Sequence, residues 1–174
     1  MIPPPAVTVI IPTYNSRGTL EPALESVRRQ TFPDFEAWVV GDGCTDGSDS
    51  VVAAVGDERF RWLNLPENSG TPSRPRNEAL GRARGRYIAY LGHDDLWFPR
   101  HLEGLIGELE EEGGDFACSL GAVIGPGGPS GFFGLPASRL DLCVEYSPSG
   151  WLHRRELIDR IGPWSTKAMV SNDL

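Results

Sequence analysis

A short β-branched apolar run between prolines, "AVTVIIP" at 6–12, has the pattern of a strand buried on both faces. Leu20, Ala23, Leu24 and Val27 follow at i, i+3, i+4 and i+7, which predicts an amphipathic helix with Thr19 placed to cap it. "FEAWVVGDG" (35–43) reads as a second strand closing in an acidic glycine turn, and Val51, Val52 and Val55 as a short second helix after "TDGSDS". "RFRWLNL" (59–65) is a third strand. Thr71-Pro72 opens a helix carrying Ala79, Leu80 and Ala83, with proline at the first helical position. "RYIAYL" (86–91) is the fourth strand, and Pro99 starts a helix whose stripe is Leu102, Leu105, Ile106 and Leu109. "DFACSLGAVIG" (115–125) predicts a fifth strand or a hairpin, and "GPGGPSGFFGLPAS" (125–138) a Gly/Pro-rich loop. "SGWLHRRELIDRIGPWS" reads as a short strand, a short helix and a Gly-Pro stop.

This alternation implies an α/β protein with a Rossmann-like, mostly parallel sheet and helices on both faces. The chain shows no internal repeat, and one domain is the economical reading of its 174 residues.

Composition narrows the partners. Hydrophobic residues at 40% and charged residues at 23% are a globular balance that argues against disorder. A formal net charge of −8 argues against a nucleic-acid backbone as partner. Cys44, Cys118 and Cys143 match no CxxC pattern, so reduced thiols and an intracellular protein are expected. The N-terminus lacks the pattern of a signal peptide, and no run approaches the ~18 apolar residues of a transmembrane segment.

The unusual polar residues fall at strand ends, where open α/β sheets bind ligands. The first strand ends in Pro12-Thr13-Tyr14-Asn15, and the second in Gly41-Asp42-Gly43-Cys44-Thr45-Asp46. The third leads into Glu67-Asn68-Ser69-Gly70, and the fourth into Gly92-His93-Asp94-Asp95. Singly, each is ordinary turn or capping chemistry. Together they converge an aromatic, carboxylates and glycines on one edge. A carboxylate pair there suits Mg²⁺ or Mn²⁺ with positions left for diphosphate oxygens, and an aromatic suits a nucleobase. There is no GxxxxGK[ST] phosphate cradle and no GxGxxG after the first strand.

"VTVIIPTYNSRGTLEPALESVRRQTFPDFEAWVVGDGCTDGS" and "ENSGTPSRPRNEALGRARGRYIAYLGHDDLWFPRHLE" resemble the inverting family 2 glycosyltransferases of GT-A fold. The likeness is close over about residues 6 to 112 and looser over 147 to 174. It implies a GT-A catalytic domain over 1–174, with a nucleotide-binding half to about 112 and an acceptor half from about 113. It also implies a base pocket of Pro12, Thr13 and Tyr14, with Tyr14 stacking, and Asp42 as the base- or ribose-binding acid. Asn68 and Gly70 match the family's "N-x-G" turn, and Arg76 and Asn77 its "RN" helix, near the donor or purely structural. The family's DxD falls on Gly92, His93 and Asp94, so its first acid is missing. Asp94 stands where the metal ligand belongs, Asp95 is the acid that follows, and His93 is a ribose or diphosphate contact, a softer ligand, or a plain loop histidine. Gly41 likewise replaces the first Asp of the family's "DDGS".

The family's "ED" motif, which carries the catalytic base, reads Asn172-Asp173 here, and the sequence ends at Leu174, which suggests a truncated chain. The implied reaction is metal-assisted direct displacement: Asp173 deprotonates an acceptor hydroxyl, which attacks the anomeric carbon of a UDP-sugar with inversion. The acceptor, a saccharide, lipid-linked or other hydroxyl compound, is expected under the 125–150 loop, with Trp151 and His153 shaping its pocket. The implied setting is bacterial glycoconjugate biosynthesis, in the cytoplasm or peripheral to the inner membrane face. The rival readings are a nucleotide-sugar-binding module with weak or no catalysis, and a nucleotidyltransferase, for which "PTYNSRG" is a poor loop.

Overall fold

The computed structural model describes residues 3–133 and 147–167. Four strands, β1 (Val7–Thr13), β2 (Phe35–Gly41), β3 (Phe60–Asn64) and β4 (Tyr87–Tyr90), alternate with α1 (Arg17–Arg28), α2 (Ser48–Ala54) and α3 (Ser73–Leu80). After α4 (His101–Glu112) come β5 (Phe116–Cys118), β6 (Gly121–Gly125), β7 (Gly128–Phe133), β8 (Trp151–Arg154) and α5 (Glu156–Ile161). The main sheet has the order β3-β2-β1-β4-β8-β5. β1 to β4 pair in parallel, whereas β8 runs antiparallel to both β4 and β5.

β1 is buried along all seven residues because it is covered on both faces. Val7, Val9 and Ile11 pack with Leu20, Ala23, Leu24 and Val27 of α1 and Leu102, Leu105 and Leu109 of α4. Ile10 packs on the opposite face with Val40, Ala79 of α3, Ile88 and Tyr90. Side-chain alternation along one strand therefore feeds two cores, as the apolar run requires.

Helix starts are secured from outside the helices. Thr19 lies within α1 and is not its cap; the N-terminal Arg17 N–H donates to Asp46 Oδ2 from the β2–α2 loop at 2.8 Å. Asp46 Oδ1 also accepts from Ser48 N and Oγ at the start of α2, so one carboxylate serves two helices. The α4 start likewise borrows Gln30 Oε1, which accepts from Leu102 N at 3.0 Å. The predicted 115–125 strand is broken: β5 joins the main sheet, whereas β6 forms a separate antiparallel hairpin with β7. The start of the predicted 125–138 loop is thus β7, and 134–138 lies outside the described residues, as do Cys143 and Asp173. Among the described residues no helix is long and apolar enough to cross a membrane.

At the N-terminal edge of the sheet, Glu36 is 3% exposed yet fully bonded. Its Oε1 accepts from Thr8 Oγ1 and Arg84 N, and its Oε2 from Arg84 Nε and Nη2. Thr8 Oγ1 in turn accepts from Gly85 N at 2.9 Å. A buried carboxylate is tolerated on these terms, paired with a guanidinium and saturated with donors. The approach of the chain at Gly85 is so close that a Cβ there would lie 2.3 Å from Thr8 N and 2.6 Å from the Val7 carbonyl carbon.

Two stability predictions follow from this packing. Gly85→Ala forces main chain apart between β1 and β4 and is expected to cost on the order of 3 kcal/mol in urea unfolding; a loss within experimental error would contradict the close approach. Burial drops the His101 imidazole from its ordinary 6.5 to about 4 and also lowers His153. The unfolded chain therefore binds more protons between pH 6.5 and 4, so this contribution is intact above pH 6.5 and fades as pH falls toward 4. His101→Phe, which can keep the stacking on Trp97, should flatten that acid limb in a melting-temperature series.

Candidate functional site

Strand order reverses beside β1: β2 and β3 lie on one side, β4 on the other. The carboxyl ends of neighbouring strands diverge there and leave a crevice. A cavity of about 600 Å³ occupies it, within the size range of small-molecule sites. Its walls include Pro12, Thr13, Tyr14, Asp42, Asn68, Gly70, Arg76, His93, Asp94 and Asp95. Four strand ends and the start of α3 therefore meet at one place.

The loops around the cavity are stitched to one another. Asp42 N donates to Thr13 O at 2.8 Å, and Thr45 N to Asn15 Oδ1 at 2.9 Å. Asn64 clamps Cys44 by accepting from its N–H and donating to its carbonyl, each at 2.9 Å. The half-buried Cys44 thiol approaches Thr13 O and Asn15 N, and burial raises its pKa. Asn68 Oδ1 accepts from Gly70 N, forming a side-chain turn that gives the loop its bend.

Among the described residues, three buried polar atoms of cavity-lining side chains have no partner. Asp42 is 4% exposed; its Oδ2 accepts from Ser69 N and Oγ at 2.9 Å, whereas Oδ1 is buried and makes no hydrogen bond among the described residues. Thr13 Oγ1 and Arg76 Nε are in the same condition. Leaving such atoms unsatisfied costs roughly 1–3 kcal/mol each, so a folded protein keeps them where a ligand or solvent completes them. The set supplies a carboxylate acceptor, a guanidinium donor and a hydroxyl able to play either part. Tyr14, 48% exposed, sets an aromatic ring at the mouth.

The acids after β4 differ from each other. Asp94 is exposed and makes no hydrogen bond among the described residues. Asp95 Oδ2 accepts from Ser149 Oγ, which itself accepts from Gly92 N at 2.8 Å. Ser149 O accepts from Trp97 Nε1 at 2.6 Å, so the turn after β4 is tied to the 3₁₀ turn Pro148–Gly150. His93 Nδ1 stands 3.4 Å from Pro12 O and lines the cavity. Among the described residues no three His, Cys, Asp or Glu side chains cluster as a metal cage. The donor set present, one uncommitted carboxylate and one half-committed, still fits a cation that takes most of its ligands from diphosphate and water.

The two glycines where the resemblance implies acids, Gly92 and Gly41, have little free space beside them. A Cβ at Gly92 would lie 2.7 Å from Asp95 Oδ2 and 3.1 Å from Asp94 Oδ1. At Gly41 it would lie 2.5 Å from Asn64 Oδ1 and 2.7 Å from Trp62 Cη2.

Asn77 does not line the cavity. Its carboxamide accepts from Trp164 N and donates to Trp164 O, each at 2.9 Å, and so joins α3 to the segment after α5. His153 is buried against the Tyr90 hydroxyl at 3.0 Å, and Trp151 stacks with Trp164; neither lines this cavity. Ser69, read only as part of a strand-end loop, holds Asp42, while Thr71, Pro72, Pro75 and Ser147 to Ser149, missed as site residues by sequence reading, line the cavity. Only the turn-forming "SPSG" marked the last of these, with nothing local to link it to β4.

The chain matches the family model described as Glycosyl transferase family 2 over residues 8–162. It is 43% identical over 101 residues to the putative teichuronic acid biosynthesis glycosyltransferase TuaG of Bacillus subtilis (strain 168), covering 57% of this chain and 40% of that protein. The crystal structure of S. aureus TarS 1-349 in complex with UDP superposes with a TM-score of 0.78 at 26% identity, covering 95% of this chain and 52% of that one. Mannosyltransferase PcManGT from Pyrobaculum calidifontis, in complex with GDP-Man and Mn²⁺, gives 0.74 at 25% identity, over 95% and 49%. The chain thus spans between 40% and 52% of the length of these proteins.

Gly92→Ala should displace the Asp95 carboxylate and break its bond to Ser149, costing about 1–2 kcal/mol in denaturant unfolding. An unchanged midpoint would show that Asp95 relaxes freely and that residue 92 has room for a side chain.

Proposed function

The chain belongs to glycosyl transferase family 2 with a GT-A fold, and from that premise we propose that it transfers a sugar from a nucleoside-diphosphate donor to an acceptor hydroxyl with inversion. The observation that carries this reading is the trio of buried polar atoms on Thr13, Asp42 and Arg76, unpartnered among the described residues, on side chains that line one cavity with an exposed Tyr14 ring. A nucleobase edge offers complementary donors and acceptors to such a set, and its face suits the tyrosine. The cavity is large enough for a sugar nucleotide. UDP is the favoured nucleotide, supported by the likeness to TarS, whose structure was determined with UDP.

Asp42, fixed by Ser69, holds the base or ribose with its free oxygen at no further cost of ordering. Asp94, with Asp95 behind it, would hold Mg²⁺ or Mn²⁺ against the diphosphate, and such a cation when bound neutralises charge on the departing diphosphate. PcManGT, similar in fold, was solved with Mn²⁺. Asp173, outside the described residues, is the proposed base. It takes the proton of the acceptor hydroxyl as that oxygen bonds to the anomeric carbon; the bond to the diphosphate oxygen breaks on the opposite face, and the nucleoside diphosphate leaves with the electron pair. A bacterial polysaccharide or glycoconjugate is the proposed product class, in keeping with the teichuronic acid biosynthesis in the name of one relative.

Calorimetry should show UDP binding that Asp42→Asn weakens about tenfold or more, since one charge-assisted hydrogen bond is worth about that factor. Mn²⁺ should tighten UDP binding in the wild type and not in Asp94→Asn. With a panel of UDP-sugars and acceptors, Asp173→Asn should lower turnover by roughly 10² or more while UDP affinity holds. Binding without any turnover would favour a binding module, and no nucleotide binding at all would overturn the proposal.

A further inference from the structure

Arg76 is unusual among the arginines of this chain. It is half-buried, lines the cavity, and makes no ion pair with a carboxylate among the described residues. Burial lowers its pKa, as expected of a cation removed from water without a counter-charge. What faces it is a ring: the guanidinium carbon stands 4.4 Å from the centroid of Trp164. A ring face holds a guanidinium in place without consuming its N–H donors, whereas a carboxylate would occupy them.

Trp164, in the segment after α5, is held at both its backbone and its ring. Asn77 holds both its backbone N–H and its carbonyl. Its ring stacks on Trp151 at 5.8 Å and 11° and meets Tyr90 edge-on at 5.3 Å and 83°. Asn77 directly follows Arg76 in α3, so the residue that clamps Trp164 and the residue that Trp164 supports belong to one helical turn.

We infer that Trp164 is a positioning residue that aims the Arg76 guanidinium into the cavity, with Asn77 holding Trp164 in register. This rests on the reading of the cavity as a nucleoside-diphosphate site. It adds that the segment after α5 contributes to nucleotide affinity through Arg76 without lining the cavity. Docking of that segment on α3 and occupation of the cavity then favour each other, because each requires the same guanidinium placement.

The test is a double-mutant cycle read by UDP calorimetry, with melting temperatures recorded alongside. Trp164→Leu should weaken UDP binding by up to about tenfold, the range of a partly buried cation–π contact, and Trp164→Phe should restore most of it. Arg76→Ala should weaken binding at least as much, and Trp164→Leu added to Arg76→Ala should weaken it no further. If Trp164→Leu does not fold, Asn77→Asp takes its place in the cycle, since it removes the donor to the Trp164 carbonyl. Unchanged UDP affinity in the Trp164 variant, or losses that add in full to those of Arg76→Ala, would overturn the inference while leaving the nucleotide site standing. Absence of UDP binding in the wild type would overturn both.

Discussion

Everything at the site depends on β1 being a central strand paired in parallel on both sides. Val7 pairs with Phe35 in β2 and with Tyr87 in β4, so the strand has no free edge until its carboxyl end. Beyond Ile10 the β4 pairing stops while the β2 pairing continues to Thr13 and Gly41. Pro12 and Thr13 therefore project past one neighbour and remain bound to the other, and the cavity is the space so created. At the other end, the Thr8–Glu36–Arg84 network and the contact with Gly85 fix how far β4 can slide along β1. The position of the crevice is thus set by buried polar bonds about a strand's length away from it.

The polar atoms in the crevice are organised on two levels. Asp46, Asn64, Ser69 and Ser149 have their hydrogen bonds satisfied within the protein, and they hold loops to loops. Thr13, Asp42 and Arg76 each retain an atom with no partner among the described residues. The first group spends its bonds so that the second can keep its open atoms fixed. A site that must order itself on binding would lose affinity to that ordering, and satisfied stitching removes the need.

Much of this was legible in the sequence, and the limits have physical causes. The four parallel strands and the apolar stripes of α1 and α4 were visible because period and burial are local signals. The convergence of Tyr14, Asp42, Asn68 and Asp94 was visible because parallel topology alone places strand ends together. Thr19 failed as a cap because Asp46, close in space and distant in sequence, took that task. The 115–125 stretch failed as one strand because β5 pairs with β8, which arrives much later in the chain. For Arg76 and Asn77 the sequence left a place near the donor and a purely structural one both open; helical geometry turns neighbouring residues by about 100°, and of the two Arg76 lines the cavity while Asn77 bonds Trp164.

The two glycines that depart from the family pattern bear on what a motif records. A missing acid at 92 or 41 suggests a gap in the site if the motif is read as a string of ligands. Space tells otherwise. Asp95, drawn back by Ser149, fills the volume beside Gly92, and Asn64 with Trp62 fills that beside Gly41. A side chain at either position would have to expel a group that now holds a loop. Asn64 in particular bonds both backbone groups of Cys44, so its presence at Gly41 maintains the turn that carries Asp42. The space beside each glycine is thus taken by a side chain that holds a loop, and the carboxylates that line the cavity are those of Asp42, Asp94 and Asp95.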